Sequence, residues 1–303
     1  MNILRLTLRQ LQIFVAVAQA GSTSAAGEVI ALSQSATSAA VNELERLLGL
    51  KLFDRAGKRL LLNDNGRALL PRALGLLDGA AGVEQMARNP DAQLQALRIG
   101  ASTTLGSQLL PGLLKRFYGE VPQQAAHWQA EVMVGNTAQV CAAVAVFELD
   151  IGLIEGPCHE PALQVQPWLT DELVLVAAPG TEARLALKAL RDCVWLLREP
   201  GSGTREAMDQ ALLPHLRGYR RSIALGSSEA IRQAAIEGLG VACLSRWLVA
   251  DALAAGRLVQ LRTPLPPLRR QCHWVTHRDK QPTQALQRFI TLLAAAADTP
   301  LPA

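Results

Sequence analysis

Apolar residues at the start of the chain recur in three short bursts at helical spacing. Between Thr7 and Ala20, Leu8, Leu11, Phe14, Val15, Val17 and Ala18 predict a first helix. Gly21 ends it, and Ser22 caps a second through Ala25, Ala26, Val29 and Ile30. Ser33 is an N-cap for a third, over 34–45, with Ala36, Ala40, Leu44 and Leu47 expected inward and Gln34, Thr37 and Ser38 outward. The runs 52–55 and 59–62 read as two short strands joined at Ala56-Gly57-Lys58. Three helices and a basic ribbon predict a winged helix-turn-helix over 1–63. Short hydrogen-bonding side chains at Ser33, Gln34, Ser35, Thr37 and Ser38 suit a helix edge sunk in a major groove, with Arg55, Lys58 and Arg59 free for phosphates. A three-helix packing unit without DNA is the competing reading, and the cationic wing weighs against it.

A long helix over 65–88 follows, with an apolar stripe of Leu69, Leu70, Ala73, Leu74, Leu77, Ala80, Ala81 and Met86. Little nearby sequence covers that stripe, so a second copy of the chain is the natural cover, and Asn89-Pro90-Asp91 closes a linker over 64–92. From there to the end strand and helix patterns alternate, which predicts an α/β effector-type module over 93–303 with mainly parallel sheets. Four strand-to-helix turns combine small polar residues: Ser102-Thr103-Thr104, Gly135-Asn136-Thr137, Gly201-Ser202-Gly203-Thr204 and Gly226-Ser227-Ser228. Each turn alone reads as plain N-capping; four together suggest a cleft beyond the strand ends, holding a small anion mainly with neutral donors.

Charge sharpens this division. The chain has net charge +4, and residues 1–63 hold +3 of it, which suits a polyanionic partner for the first segment only. Five cysteines without a CxxC read as buried thiols of a reducing compartment, with a redox pair as the minor alternative. No signal-peptide run and no long apolar segment occur, so the expected location is cytoplasmic, without a membrane partner. No P-loop, no GxSxG and no nucleophile–base set is present, and His273 and His277 lack companion metal ligands. Neither an enzyme nor a cofactor is expected, and an exported solute-binding protein fits the N-terminal 63 residues poorly.

The run Leu8-Arg9-Gln10-Leu11, Phe14-Val15-Ala16-Val17-Ala18, Gly21-Ser22, Leu32-Ser33-Gln34-Ser35-Ala36, Leu44-Glu45, Leu52-Phe53-Asp54-Arg55 and Asn65-Gly66 resembles the DNA-binding signature of LysR-type transcriptional regulators, and the match extends over the whole chain. It departs at Ala39-Ala40, where the family often has Arg or Lys, and at Thr23, where it often has Phe. The resemblance implies a transcription regulator acting on double-stranded promoter DNA, pairing through the linker helix as a homodimer or homotetramer, with RNA polymerase a possible partner. It implies two α/β lobes like those of periplasmic binding proteins, lobe I over about 93–166 and 268–303 and lobe II over about 167–267. Between them an effector would touch Ser102, Thr103, Asn136, Ser202 and Thr204, with Thr104, Thr137 and Gly203 completing the candidate set and Arg205 a candidate counter-charge. The segments 155–157 and 198–205 are similar to a subgroup whose effectors include inorganic sulfur oxyanions.

Overall fold

Each N-terminal helix begins at a residue whose side chain caps it. In the computed structural model, which describes residues 5–57, 59–88, 97–119 and 131–297 (without the side chains of 85–88), Thr7 and Gln10 form a reciprocal capping box for α1 (Leu8–Ala20). Ser22 caps α2 (Thr23–Ile30), and Ser33 caps α3 (Gln34–Leu48). Lys58, the Met86 side chain and the Asn89-Pro90-Asp91 stop lie outside the described residues. The chain divides into two compact units, Met1–Pro90 with Asp279–Gln281, and Asp91–Arg278 with Pro282–Ala303.

In the first unit Leu11, Phe14, Val17, Ala26, Val41, Leu44 and Leu52 form one small core. The inward face of α3 is rotated from the expected one: Thr37, Val41, Leu44 and Glu45 are buried, while Ala36 is exposed. Thr37 turns in because its hydroxyl donates to the Ser33 carbonyl at 3.0 Å, and because Gly27 on α2 packs against it. A Cβ at Gly27 would stand 2.5 Å from the Leu32 carbonyl oxygen, so only glycine permits this approach. The ribbon of β1 (Phe53–Ala56) and β2 (Arg59–Leu62) is antiparallel, pairing Phe53 with Leu62. Buried Glu45 anchors its base, accepting from the Leu52 N–H at 2.8 Å and pairing with Lys51 at 2.5 Å. The long helix α4 (Asp64–Arg88) covers this core with Leu69, Leu70, Ala73, Leu74 and Leu77, so most of the expected stripe finds its cover within the unit. Leu76 and Val83, seven positions apart, remain exposed.

The second unit starts with β3 (Arg98–Ser102), α5 (Thr103–Gln108), α6 (Leu110–Gly119), β4 (Glu131–Gly135), α7 (Thr137–Ala145) and β5 (Ile151–Glu155). A long strand β6 (Leu163–Ala177) follows, then α8 (Leu187–Asp192), β7 (Val194–Arg198), α9 (Gly203–Leu216), β8 (Arg221–Leu225), α10 (Ser228–Ile236) and β9 (Val241–Ser245). The chain ends through α11 (Arg246–Ala254), β10 (Val259–Gln260), β11 (Leu268–His277) and α12 (Gln284–Ala297). The sheet order is β4-β3-β5-β11-β6-β9-β7-β8, with β10 on β6. β3 pairs in parallel with β4 and β5, and β7 with β8 and β9. Between these halves, β11 runs antiparallel to β5 and β6, and β6 to β9, so the sheet is mixed rather than mainly parallel. One lobe is built on β3–β5 and the other on β7–β9. Leu97, Ile99, Phe117 and Phe289 fill the first, and Trp195, Leu197, Met208 and Leu212 the second. The strands β6 and β11 pass from one lobe to the other, and a register shift between Gln271 and His273 marks the crossing.

Candidate functional site

The first candidate site is the outer edge of α3 with the wing. Ser33, Gln34 and Ser35 are exposed at the helix start and Ser38 is half-buried. Gln34 Nε2 donates to Thr23 Oγ1 at 3.2 Å, which holds the amide across the α2–α3 turn. A groove of about 680 Å³ is lined by Ser22, Thr23, Ser24, Gln34, Ser38, Arg55 and Arg59 among others, so the expected helix edge and wing arginines face one concavity. Thr37 is fully buried and does not reach it.

The second lies where the strand ends of the two lobes meet. Glu155, at the end of β5, is 1% exposed, and every oxygen of its carboxylate is engaged. Oε1 accepts from the Thr104 and Leu105 N–H groups at 2.9 and 3.0 Å. Oε2 accepts from Arg270 at 2.6 Å and from the Thr204 hydroxyl at 3.1 Å. Arg270 donates also to Asp171 at 2.6 Å and 2.8 Å, and Ser245 donates to the other Asp171 oxygen at 2.9 Å. Burial alone would raise the Glu155 carboxyl, but the Arg270 charge and the Leu105 N–H outweigh it and hold the group below the usual carboxylate range. Burial wins at Asp171, whose carboxyl is raised despite Arg270. One arginine thus bridges two buried carboxylates whose environments push them in opposite directions.

The backbone of the seam is equally close. Thr137 Oγ1 donates to the Glu155 carbonyl at 2.9 Å and accepts from the Gly203 N–H at 3.2 Å. Ala138 N–H donates to the Gly201 carbonyl at 3.1 Å. A Cβ at Gly203 would overlap the Glu155 carbonyl oxygen outright and stand 2.7 Å from Thr137 Oγ1. Thr104, Thr137, Gly203 and Thr204 are thus buried framework, with their polar atoms committed to protein partners.

Arg198, at the end of β7 and 2% exposed, holds the other side of the seam. Its Nη1 donates at 2.6 Å both to Thr103 Oγ1 of the first lobe and to Ser228 Oγ of the second. Its remaining nitrogens pair with Glu199, whose carboxylate also accepts from Asn136 at 3.2 Å. Ser102 Oγ is buried beside Glu155 without a fully formed hydrogen bond. Ser202 caps α9. Arg205 is not free as a counter-charge, because its guanidinium is spent on Asp209 at 2.7 Å and on the Arg198 carbonyl at 3.1 Å. The turns picked from sequence do converge, with Asn136 and Ser202 at the margin. Glu155, Asp171, Arg198, Ser245 and Arg270 were missed as site residues, and the available signal was a charge closing an apolar strand run, at Glu155 and at Arg198.

Among the described residues no three acidic, cysteine or histidine side chains gather as a metal site, and no helix is long and apolar enough to cross a membrane. A helix-turn-helix head carried on a two-lobed α/β module defines a DNA-binding regulator with a domain for a small effector. The family descriptions agree: "Bacterial regulatory helix-turn-helix protein, lysR family" matches residues 8–67, and "LysR substrate binding domain" matches 91–298. The HTH-type transcriptional regulator YeiE of Escherichia coli (strain K12) is 46% identical over 290 residues, 95% of this chain and 97% of that one. The structure of ArgP from Mycobacterium tuberculosis superposes with TM-score 0.73 at 19% identity, covering 97% of this chain and 98% of that one. The Synechocystis CcmR regulatory domain in complex with 2-PG has TM-score 0.59 at 29% identity, covering 67% of this chain and 98% of that one. The chain belongs to the LysR family of bacterial transcriptional regulators, proteins that act on transcription rather than by catalysis.

Proposed function

We propose that this regulator binds promoter DNA as a two-fold assembly and that a small oxyanion, seated at the seam between its lobes, changes how it binds or bends that DNA. The observation that carries the anion is Arg198: a buried guanidinium whose Nη1 bonds the hydroxyls of Thr103 and Ser228, one from each lobe. A hydroxyl that accepts from a cation turns its own hydrogen elsewhere, so Thr103 and Ser228 become polarised donors. Ser102 and the Asn136 amide add neutral donors nearby. The CcmR domain, 29% identical, carries 2-PG and supports a small-ligand reading of the module.

Base edges are read by Gln34 and Ser38 with the exposed Ser33 and Ser35, and phosphates by Arg55, Lys58 and Arg59; buried Thr37 is left out of this surface. Exposed Leu76 and Val83 on α4 support pairing of two protomers into a dimer, and of dimers into a tetramer, presenting successive recognition helices and a surface for RNA polymerase. Ligand closure acts through the crossing strands β6 and β11 only by its differential affinity for the two lobe arrangements.

The test is a thermal-shift screen of full-length protein against sulfite, sulfate, phosphate and small carboxylates, beside footprinting on its own promoter region. An anion at a hundredfold its Kd stabilises by about 2.7 kcal/mol, roughly 5–11 °C for a unit of this size. Arg198→Met should erase that shift while footprints without ligand persist. A stabilising anion whose shift survives Arg198→Met would refute the site, and protein that protects no bases would refute the DNA reading.

A further inference from the structure

Of the chain's five thiols, Cys141 on α7, Cys243 in β9 and Cys272 in β11 are buried, and Cys193, at the end of α8, is half-buried with its sulfur donating to the Ala189 carbonyl at 3.3 Å. Cys158 differs, because it sits half-buried in the loop between β5 and β6 with its sulfur 3.5 Å from that of Cys141, a buried residue of α7. Both sulfurs are thiols, and a disulfide needs them at about 2.05 Å, so closure asks for roughly 1.5 Å of movement. The loop can supply it: Cys141 is fixed in a packed helix, whereas Cys158 touches only that thiol and, at 3.9 Å, the Glu160 carbonyl among polar groups. We propose that Cys141 and Cys158 are a site of reversible oxidation, closing to a disulfide on exposure to a hydroperoxide and resetting the loop between β5 and β6.

The chemistry balances with a hydroperoxide as the oxidant. The Cys158 thiolate attacks the peroxide oxygen, the O–O bond breaks, and an alcohol (or water, from hydrogen peroxide) leaves with a proton. This gives a sulfenic acid at Cys158. The Cys141 sulfur then attacks the Cys158 sulfur, the S–O bond breaks, and water departs with the Cys141 proton. Two thiols are oxidised by two electrons and one peroxide is reduced. The partition of roles follows the surroundings: the hydrogen donated by Cys141, the backbone near Glu160 and the neighbouring His159 pull the Cys158 thiol below its ordinary range. Burial pushes Cys243 up to about 12 and raises Cys272, while the bond to Cys158 and burial raise Cys141, so the loop thiol is the one that meets the peroxide first.

The consequence lies in what else the loop holds. Gly156, two residues before Cys158, packs against α9, where a Cβ would be 3.4 Å from Gly203 Cα. Its carbonyl lies 3.0 Å from His273 Nδ1. His159, the next residue after Cys158, reaches Glu206 of α9 at 3.0 Å. A shift of the Cys158 sulfur toward α7 therefore pulls on the contacts between the loop and the start of α9.

The experiment is disulfide mapping of the full-length protein after hydrogen peroxide, blocked with N-ethylmaleimide and digested without reduction. The expected product is a cross-linked peptide pair containing Cys141 and Cys158, two hydrogens lighter than the separate peptides and released by dithiothreitol. Cys158→Ser, a change in an accessible loop, should abolish it, and Cys193→Ser should not. Hydrogen exchange at the start of α9 should change on oxidation of the wild type and stay unchanged in Cys158→Ser. Recovery of Cys158 as a sulfinic acid, as an unreacted thiol or joined to another cysteine would overturn the site. A mapped Cys141–Cys158 bond with unaltered exchange at α9 would overturn the coupling to the seam. Neither readout involves an anion or DNA.

Discussion

Replacing Glu155 with Gln tests the seam at its most loaded point. The substitution keeps the shape but removes the charge that Arg270 meets at 2.6 Å, in a position 1% exposed. Removing one partner of a buried ion pair costs about 3–5 kcal/mol, because the remaining charge stays desolvated. For a unit of about 200 residues each kcal/mol lowers Tm by roughly 2–4 °C, so Glu155→Gln should melt about 6–20 °C early. Asp171→Asn should cost less at pH 7, since burial already raises that carboxyl and its ionised form contributes less. Arg270→Met strands both carboxylates, and combined with Glu155→Gln it should cost less than the sum of the two single changes, with a coupling of about 1–3 kcal/mol. The pH dependence has a definite sign. A carboxyl held low in the folded state stabilises above its unfolded value of about 4.3 and loses that contribution as pH falls through the folded value, so the gap between wild type and Glu155→Gln should be flat from pH 8 to about pH 5 and narrow below. The assay is calorimetry or near-ultraviolet melting of the full chain. A Glu155→Gln protein melting within about 2 °C of wild type, or strictly additive losses in the double variant, would refute the claim that this carboxylate and Arg270 stabilise the seam as a pair.

Gly203→Ala should force the start of α9 off β5, because its Cβ would overlap the Glu155 carbonyl oxygen. The expected loss is about 1–3 kcal/mol by overpacking, together with any anion-induced shift, and unchanged melting would show that the seam is not as close as drawn. On the DNA side, Gln34→Ala should alter operator preference with little change in Tm. Thr37→Val should lower stability by about 1 kcal/mol through the lost bond to Ser33 and leave operator preference alone, and the reverse pattern in a binding-site selection would show that α3 is turned the other way. Arg55→Ala and Arg59→Ala should each weaken binding to all sequences alike and reduce the salt slope by about one, as read by titrations at several salt concentrations.

Much of this was legible because local signals are strong where they are local. Caps at Ser22 and Ser33 and the two short runs around the wing turn placed the head unit's elements to within a few residues. The one-position rotation of α3 was not legible, since Thr37 is polar and its inward turn depends on Gly27 approaching from another helix. In the second unit the four polar turns were found, but their partners were not. Glu155 and Arg270 are 115 residues apart, and no periodicity links them. The crossing strands were only half seen: the 163–170 part of β6 mixes Gln, Pro, Trp and Thr, lacks an alternating pattern and pairs on one side only, with β11 from far along the chain.

The seam also limits what an effector can do. As the lobes stand, Arg198 spends its donors on Thr103, Ser228 and Glu199, and Glu155 is fully bonded by Thr104, Leu105, Thr204 and Arg270. An anion that merely competed for those donors would break bonds as strong as it made and would shift no equilibrium. On the proposed reading, an anion gains differential affinity only by using hydrogens the closed seam leaves over, those of the Thr103 and Ser228 hydroxyls, with Ser102 beside them. A site of that kind would be small and would select for compact acceptors with several oxygens over extended ligands. Thr103→Val and Ser228→Ala should therefore each weaken anion binding several-fold while Arg198 stays in place, whereas Glu155→Gln should weaken it only through the loosened frame.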